Sequence, residues 1–163
     1  RKRRSKMLKY YNYDIVFQEI PDKVTLAINL SCCPNRCKGC HSPWLREDVG
    51  EELNEKTLDN IISKYINAIN CVCFMGGDNN PKEIESLAKH IHNNYSNKTV
   101  GWYSGKDRLS QEINHNNFNY IKIGSYKEEF GSLKNNKTNQ RLYKIASNGD
   151  KEDITFKFWK SKR

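Results

Sequence analysis

A short segment with three closely spaced cysteines constrains this chain more than any other feature of its sequence. Cys33, Cys37 and Cys40 follow the spacing Cys-x3-Cys-x2-Cys, directly after the apolar run 24–30. Such a run is typical of a buried strand in a parallel sheet. Three thiolates on one loop can hold three irons of a cubane cluster and leave the fourth iron open, unlike the four-thiolate sites of simple electron carriers. An open iron indicates chemistry, so we interpret the chain as an enzyme with a 4Fe-4S cluster.

Two other uses of the cysteines stay open on the residues alone. A zinc site could combine these thiolates with His41, or with Cys71 and Cys73, although structural zinc sites usually show two Cys-x2-Cys-like pairs. Segment 37–41 also matches the Cys-x2-Cys-His pattern of haem attachment, which normally needs export. Cys32 adjoins the set without fitting its spacing, so we predict that it is not a ligand. Cys71 and Cys73 are predicted to be small core residues.

Length and charge narrow the class of protein. At 163 residues the chain suits one domain with a real core, which we assign to residues 13–163. Five of the nine net positive charges lie in the first six residues, which leaves +4 for the rest of the chain. Residues 1–12 are therefore predicted to be a basic, flexible extension. No aromatic residues interleave the basic run, so we expect no nucleic-acid partner.

The sequence also predicts where the protein works. It has no run of about 18 apolar residues that could cross a bilayer, and the residues after the basic run are too polar for a secretory signal. We therefore expect no membrane partner and a cytoplasmic location, where thiols stay reduced. Six cysteines in a reducing compartment indicate metal binding or reactivity rather than disulfides.

The order of the predicted elements indicates an α/β fold. Strands and helices alternate about four times with crossovers near 25 residues, so the strands are expected to be parallel. Asn54 and Asn80 are predicted helix caps, and Pro81 suits the first position of the second helix. The units are too few to close an eight-stranded barrel, so the sequence predicts an open partial (βα) barrel. The predicted strands are 14–18, 24–30, 71–75, 100–103, 120–123 and 141–145, and the predicted helices are 54–69, one that starts at 81, and 107–114.

Four loops rich in glycine and polar residues follow the predicted parallel strands. One is the cysteine segment, and the others contain 76–78 (Gly-Gly-Asp), 104–105 (Ser-Gly) and 124–125 (Gly-Ser). Ligands of parallel α/β sheets lie beyond the carboxyl ends of the strands, so we expect these loops to form one site. The Gly-Gly-Asp segment alone is equally typical of a plain strand-to-helix turn.

The cysteine spacing on a loop after the first parallel strand resembles the signature of the radical S-adenosylmethionine enzymes. The resemblance implies that S-adenosylmethionine chelates the open iron and is cleaved reductively to methionine and a 5′-deoxyadenosyl radical. It also implies that 76–78 binds the methionine part of this cofactor, with Asp78 where the family usually has Glu. Gly39 and Cys40 are implied contacts, as is His41 against the adenine, although His41 could equally face solvent. Ser104 is a further candidate contact.

Longer blocks resemble the activating component of the anaerobic (class III) ribonucleotide reductase. The resemblance runs from about residue 13 to 146 and implies that the radical removes hydrogen from a glycine of the large catalytic subunit. A flavodoxin or ferredoxin is the expected electron donor. The alternatives are an activator of another glycyl-radical enzyme, and an iron–sulfur or zinc module without catalysis. Segment 139–141 (Asn-Gln-Arg) could contact the partner or cap the sheet. The blocks are 33–40, 100–105, 119–126 and 138–141.

Overall fold

The fold is defined by a computed structural model that describes residues 7–31 and 50–159. The described strands are β1 (Lys9–Val16), β2 (Thr25–Leu30), β3 (Glu51–Glu52), β4 (Cys71–Met75), β5 (Thr99–Tyr103), β6 (Tyr120–Ile123), β7 (Arg141–Ile145) and β8 (Lys151–Asp153). The described α-helices are α1 (Glu55–Tyr65) and α2 (Pro81–Asn94), and short 3-10 helices span His115–Asn117 and Thr155–Phe158. The eight strands form one sheet in the order β3-β1-β2-β4-β5-β6-β7-β8.

The sheet is mixed, with parallel strands at its centre and antiparallel strands at both edges. β2, β4, β5 and β6 are parallel, as predicted. β1 and β3 are antiparallel at one edge, and β7 and β8 at the other, so the prediction of parallel strands is wrong there. Short connections explain two of these pairs, β1 with β2 (17–24) and β7 with β8 (146–150), because parallel neighbours need crossovers of a dozen or more residues. The described residues therefore form a mixed α/β fold.

Both described α-helices begin where the sequence predicted and pack on one face of the sheet, although the first ends at Tyr65 and not at residue 69. The Asn54 side chain accepts a hydrogen bond from the amide of Thr57 at 2.9 Å, and Asn80 accepts one from the amide of Glu83 at 3.2 Å. These bonds satisfy amides that would otherwise lack partners at a helix start. Neither of these two described helices has the length and apolarity needed to cross a bilayer. The buried helical residues are Leu58, Ile61, Ile62, Ile84, Leu87, Ala88 and Ile91.

The opposite side of the sheet, which we call the second face, carries the two described cysteines. Along β4, Val72 packs with the helices, whereas Cys71 and Cys73 point to the second face because strand side chains alternate. Both thiols are free and fully buried, which confirms their prediction as core residues. Residues from outside the parallel strands cover this face: Ile20, Leu133 and Ile154.

The first strand begins earlier than the sequence predicted. β1 starts at Lys9, so residues 9–12 belong to the sheet rather than to the extension assigned to 1–12. The strand is only partly buried, so it carries polar residues. These interrupt the apolar pattern from which a strand is predicted. One of them, Asn12, accepts a hydrogen bond from the Asn29 side chain of β2 at 2.7 Å.

The helix predicted over 107–114 does not form. The amide of Glu112 donates to the Ser110 hydroxyl at 3.2 Å, and the amide of Asn114 donates to the Glu85 carboxylate of α2 at 3.0 Å. Bonds from backbone amides to side chains compete with the helical pattern. A short 3-10 helix, His115–Asn117, follows directly after this segment.

Candidate functional site

The carboxyl ends of β2, β4, β5 and β6 form one edge, which we call the rim. Gly76 and Gly77 follow β4 and lie beside Leu30, the last residue of β2: a Cβ built on Gly76 would be 3.5 Å from the Leu30 Cβ. The chain continues from Leu30 through Ser31 into the cysteine segment, and Cys33 follows Leu30 by three residues in sequence. The glycine pair therefore lies next to the strand end from which the cysteine segment starts.

The cysteine segment itself lies outside the described residues. This applies to six residues that the sequence analysis singled out: Cys32, Cys33, Cys37, Gly39, Cys40 and His41. Their roles stay predictions. Gly76, Gly77, Asp78 and Ser104 are described, and the structure brings these four together at the rim.

The glycine pair has a backbone that other residues rarely adopt. The φ angles of Gly76 and Gly77 are +112° and +91°. A Cβ on Gly77 would lie 2.6 Å from Cδ1 of Ile84 and 2.9 Å from Cδ1 of Leu30, so this position also lacks room for a side chain. The conformation favours glycine here, and a side chain would also have to displace the ends of Leu30 and Ile84.

Trp102 supports the glycine pair, a role that the sequence analysis missed. The sequence placed this side chain in the core, and it is indeed buried, with 2 % exposed. Its Nε1 donates to the Gly76 carbonyl at 2.7 Å, while the Gly76 amide donates to the Tyr103 carbonyl at 2.9 Å. A buried tryptophan needs an acceptor for its N–H. Because Trp102 lies near the carboxyl end of β5, the sequence could have indicated that this acceptor lies at the rim.

Asp78 connects the loop after β4 to the loop after β5. The Ser104 hydroxyl donates to Oδ1 of Asp78 at 2.6 Å, and the Gly105 amide donates to Oδ2 at 2.8 Å. Hydrogen bonds to a carboxylate are shorter and stronger than bonds between neutral groups. Ser104 is buried, so water competes little for its hydroxyl. The two sequence-predicted residues Asp78 and Ser104 are thus direct partners of each other.

The hydrogen bonds continue along the rim from β5 to β6. The Ser104 hydroxyl accepts from the Lys106 amide at 3.1 Å, and the Lys106 carbonyl accepts from the Gly124 amide at 2.6 Å. The Gly124 carbonyl in turn accepts from Nζ of Lys122 at 3.1 Å. Lys122 is only 7 % exposed, and its Nζ lies 5.5 Å from the centre of the Tyr103 ring. A lysine between the two isoleucines of β6 is the sequence signal for this buried cation.

The loop after β6 is fastened from both sides. Asp107 accepts from the Ser125 amide at 2.9 Å and from its hydroxyl at 3.2 Å, and the amide bond is the main reason why the pKa of Asp107 is lowered. On the other side, Asn139 donates to the Ser125 carbonyl at 3.0 Å, and Gln140 donates to the Gly124 carbonyl at 3.3 Å. Segment 139–141, which could contact the partner or cap the sheet on the sequence alone, therefore holds the loop at this end of the sheet in place.

A cleft of about 600 Å³ opens beside these loops. It is lined by Asp78, Trp102 and Ser104, by the start of α2, and by the loop that follows β5. Its volume falls in the range of small-molecule sites, which is roughly 300 to 1,000 Å³. Lys82, Lys106 and Arg108 line it together with the acidic residues Asp78 and Glu112, so the cleft presents charges of both signs.

The described residues offer no second place for a metal. They contain no group of three or more His, Cys, Asp or Glu side chains that could hold a metal ion. Cys71 and Cys73 are buried in the core of the second face, and Cys71 begins β4 at the end opposite the rim. The zinc alternative that uses these two thiols is therefore disfavoured, and the three-cysteine segment is the donor set that fits an iron–sulfur cluster.

Three closely spaced cysteines that follow a central parallel strand are a donor set for an iron–sulfur cluster. A family model described as a 4Fe-4S single cluster domain matches residues 23–148, and the chain belongs to this family. The match begins just before β2 and ends after β7, so it includes the cysteine segment and all four loops of the rim. The predicted 4Fe-4S cluster is confirmed at the level of the family. Neither a curated protein nor a solved structure matches the chain.

Proposed function

We propose that this protein is a radical S-adenosylmethionine enzyme that generates a glycyl radical on the large catalytic subunit of an anaerobic (class III) ribonucleotide reductase. One observation carries the proposal: the glycine pair Gly76-Gly77 lies beside Leu30, where the cysteine segment of a 4Fe-4S family member begins. Cys33, Cys37 and Cys40 would hold three irons of the cluster. The fourth iron would be the position of S-adenosylmethionine.

The residues described at the rim fit the proposed cofactor. Gly76 and Gly77 have no side chains, so a ligand can lie close to their backbone, although the amide and the carbonyl of Gly76 are already bonded to Tyr103 and Trp102. Asp78 and Ser104 line the adjoining cleft and supply a carboxylate and a hydroxyl. Segment 39–41 (Gly-Cys-His) completes the proposed contacts from the cysteine side. When bound, the reduced cluster and S-adenosylmethionine supply a 5′-deoxyadenosyl radical that removes a hydrogen atom from a glycine Cα.

In the described residues, hydrogen bonds fix the loops of the rim and apolar side chains cover the second face. Hydrogen bonds from Asp78 to Gln140 connect the loops after β4, β5 and β6, so these loops are positioned before a ligand arrives. Ile20, Leu133 and Ile154 cover the second face, and a substrate that is to reach the proposed cofactor would approach at the rim. A protein segment that carries the target glycine meets this requirement. We propose that the four parallel strands correspond to an abbreviated, open (βα) barrel.

The proposal also assigns the remaining partners. A flavodoxin or ferredoxin in the cytoplasm would reduce the cluster. No feature of the described residues favours an alternative glycyl-radical enzyme over the reductase. The experiment below distinguishes these two kinds of partner.

Electron paramagnetic resonance of a mixture with the reductase subunit tests the proposal. The anaerobically reconstituted protein, S-adenosylmethionine and a reductant are expected to produce a glycyl-radical resonance on that subunit. The Cys37→Ala variant, treated in the same way, should produce none. Cofactor cleavage without a radical on the subunit would overturn the assignment to the reductase and favour another glycyl-radical enzyme.

A further inference from the structure

We infer that Asp78 is a positioning residue whose short side chain holds the loop after β5 against the loop after β4. The inference rests on the proposed function only in naming S-adenosylmethionine as the ligand. It differs from the role that the family resemblance implies, in which the acidic side chain at this place chiefly accepts from the cofactor ammonium group. The starting point is that both carboxylate oxygens of Asp78 accept from the neighbouring loop, from Ser104 at 2.6 Å and from Gly105 at 2.8 Å.

The backbone of Asp78 has little freedom to adjust. It follows Gly77 directly, and Gly77 is packed so closely between Leu30 and Ile84 that a single added carbon would meet both. On the donor side, Ser104 is 3 % exposed, and its amide donates to the Lys122 carbonyl of β6 at 2.9 Å. The carboxylate therefore bridges two fixed points, and the length of the side chain decides whether it can do so.

The bridge reaches further than the two loops that it joins. The Ser104 hydroxyl that donates to Asp78 also accepts from the Lys106 amide, and the Lys106 carbonyl accepts from the Gly124 amide. A displaced Ser104 would loosen these bonds in turn. Asp78 thus positions the β5 and β6 sides of the rim, although it lies in the loop after β4.

The two roles predict opposite results for glutamate at this position. Glutamate is longer than aspartate by one C–C bond, about 1.5 Å. If Asp78 is a shortened ligand contact, Asp78→Glu supplies the usual family residue and binding of S-adenosylmethionine should become tighter. If Asp78 is a bridge of fixed length, the longer side chain displaces the Ser104 loop and binding should become weaker.

The experiment compares wild type, Asp78→Glu, Ser104→Ala and the double variant as anaerobically reconstituted proteins. Calorimetry measures binding of S-adenosylmethionine, and hydrogen exchange with mass spectrometry measures amide protection in the peptide 104–108. We expect each single variant to bind about tenfold more weakly, since one charged hydrogen bond is lost or distorted. Exchange in 104–108 should be faster in both. The double variant should lose little more than Ser104→Ala, because the two residues act through one contact.

Asp150→Glu is the matched control, because Asp150 is an exposed aspartate in the turn before β8. It should change neither binding nor exchange in 104–108. Binding by Asp78→Glu that equals or exceeds that of wild type, with wild-type exchange, would overturn the inference. If wild type itself does not bind S-adenosylmethionine, the proposed function fails. The exchange comparison between wild type and Asp78→Glu still decides whether Asp78 is the bridge.

Discussion

Alanine at Cys33, Cys37 or Cys40 is expected to abolish assembly of the 4Fe-4S cluster. Each residue is predicted to supply one of three thiolates, and a cubane held by only two protein ligands is not expected to persist. The wild-type protein should take up about four irons per chain on anaerobic reconstitution. Each variant should fall well below half of the wild-type iron, with loss of the brown absorbance. Iron and sulfide analysis of the purified proteins measures the effect.

Alanine variants of the three other cysteines are the matched controls. Cys71 and Cys73 are buried on the second face of the sheet, and Cys32 does not fit the ligand spacing. All three variants should keep the cluster. A Cys32→Ala variant that folds as wild type but binds no iron would contradict the ligand assignment.

Gly77→Ala is expected to destabilise the fold by about 2 to 5 kcal/mol. A left-handed backbone costs a residue with a Cβ about 1 to 2 kcal/mol, and overpacking of a core typically costs about 1 to 3 kcal/mol more. Both apply here, because the φ angle is +91° and the new carbon would lie 2.6 Å from Ile84. Chemical denaturation of the variant and wild type, under the same conditions, measures the difference in the free energy of unfolding.

Gly149→Ala separates the two contributions. Gly149 has a similar φ angle of +94°, but its nearest neighbour for a Cβ is an oxygen of the Asn116 side chain at 3.0 Å, in the turn between β7 and β8. This variant should lose only about 1 to 2 kcal/mol, from backbone strain. Equal losses in the two variants would show that Leu30 and Ile84 move aside, and that Gly77 is not required by packing.

Features encoded by neighbouring residues were predicted well from the sequence. The start of α2 is an example, since Asn80, Pro81 and Glu83 each have a local reason for their positions. β4 matches its predicted range of 71–75 because an apolar run bounded by a glycine pair has few other solutions. The gathering of the loops at one rim followed from the parallel order of the central strands.

Features that depend on distant residues were not predictable in the same way. The segment 107–114 has an apolar spacing compatible with a helix, but Glu85 of α2 takes one of its amides. The bond between Asp78 and Ser104 joins residues 26 positions apart and depends on where each side chain points. The antiparallel direction of the edge strands likewise depends on the end of the sheet at which the preceding loop brings the chain back. Composition and periodicity contain little of this information.

The production of 5′-deoxyadenosine tests the central claim most directly. The anaerobically reconstituted protein is reduced chemically and given S-adenosylmethionine without any protein partner, and the nucleoside products are separated by chromatography. We predict 5′-deoxyadenosine and methionine from the wild-type protein and none above background from Cys37→Ala. A wild-type protein that contains about four irons per chain yet forms no 5′-deoxyadenosine would contradict the claim and leave an iron–sulfur module without this activity.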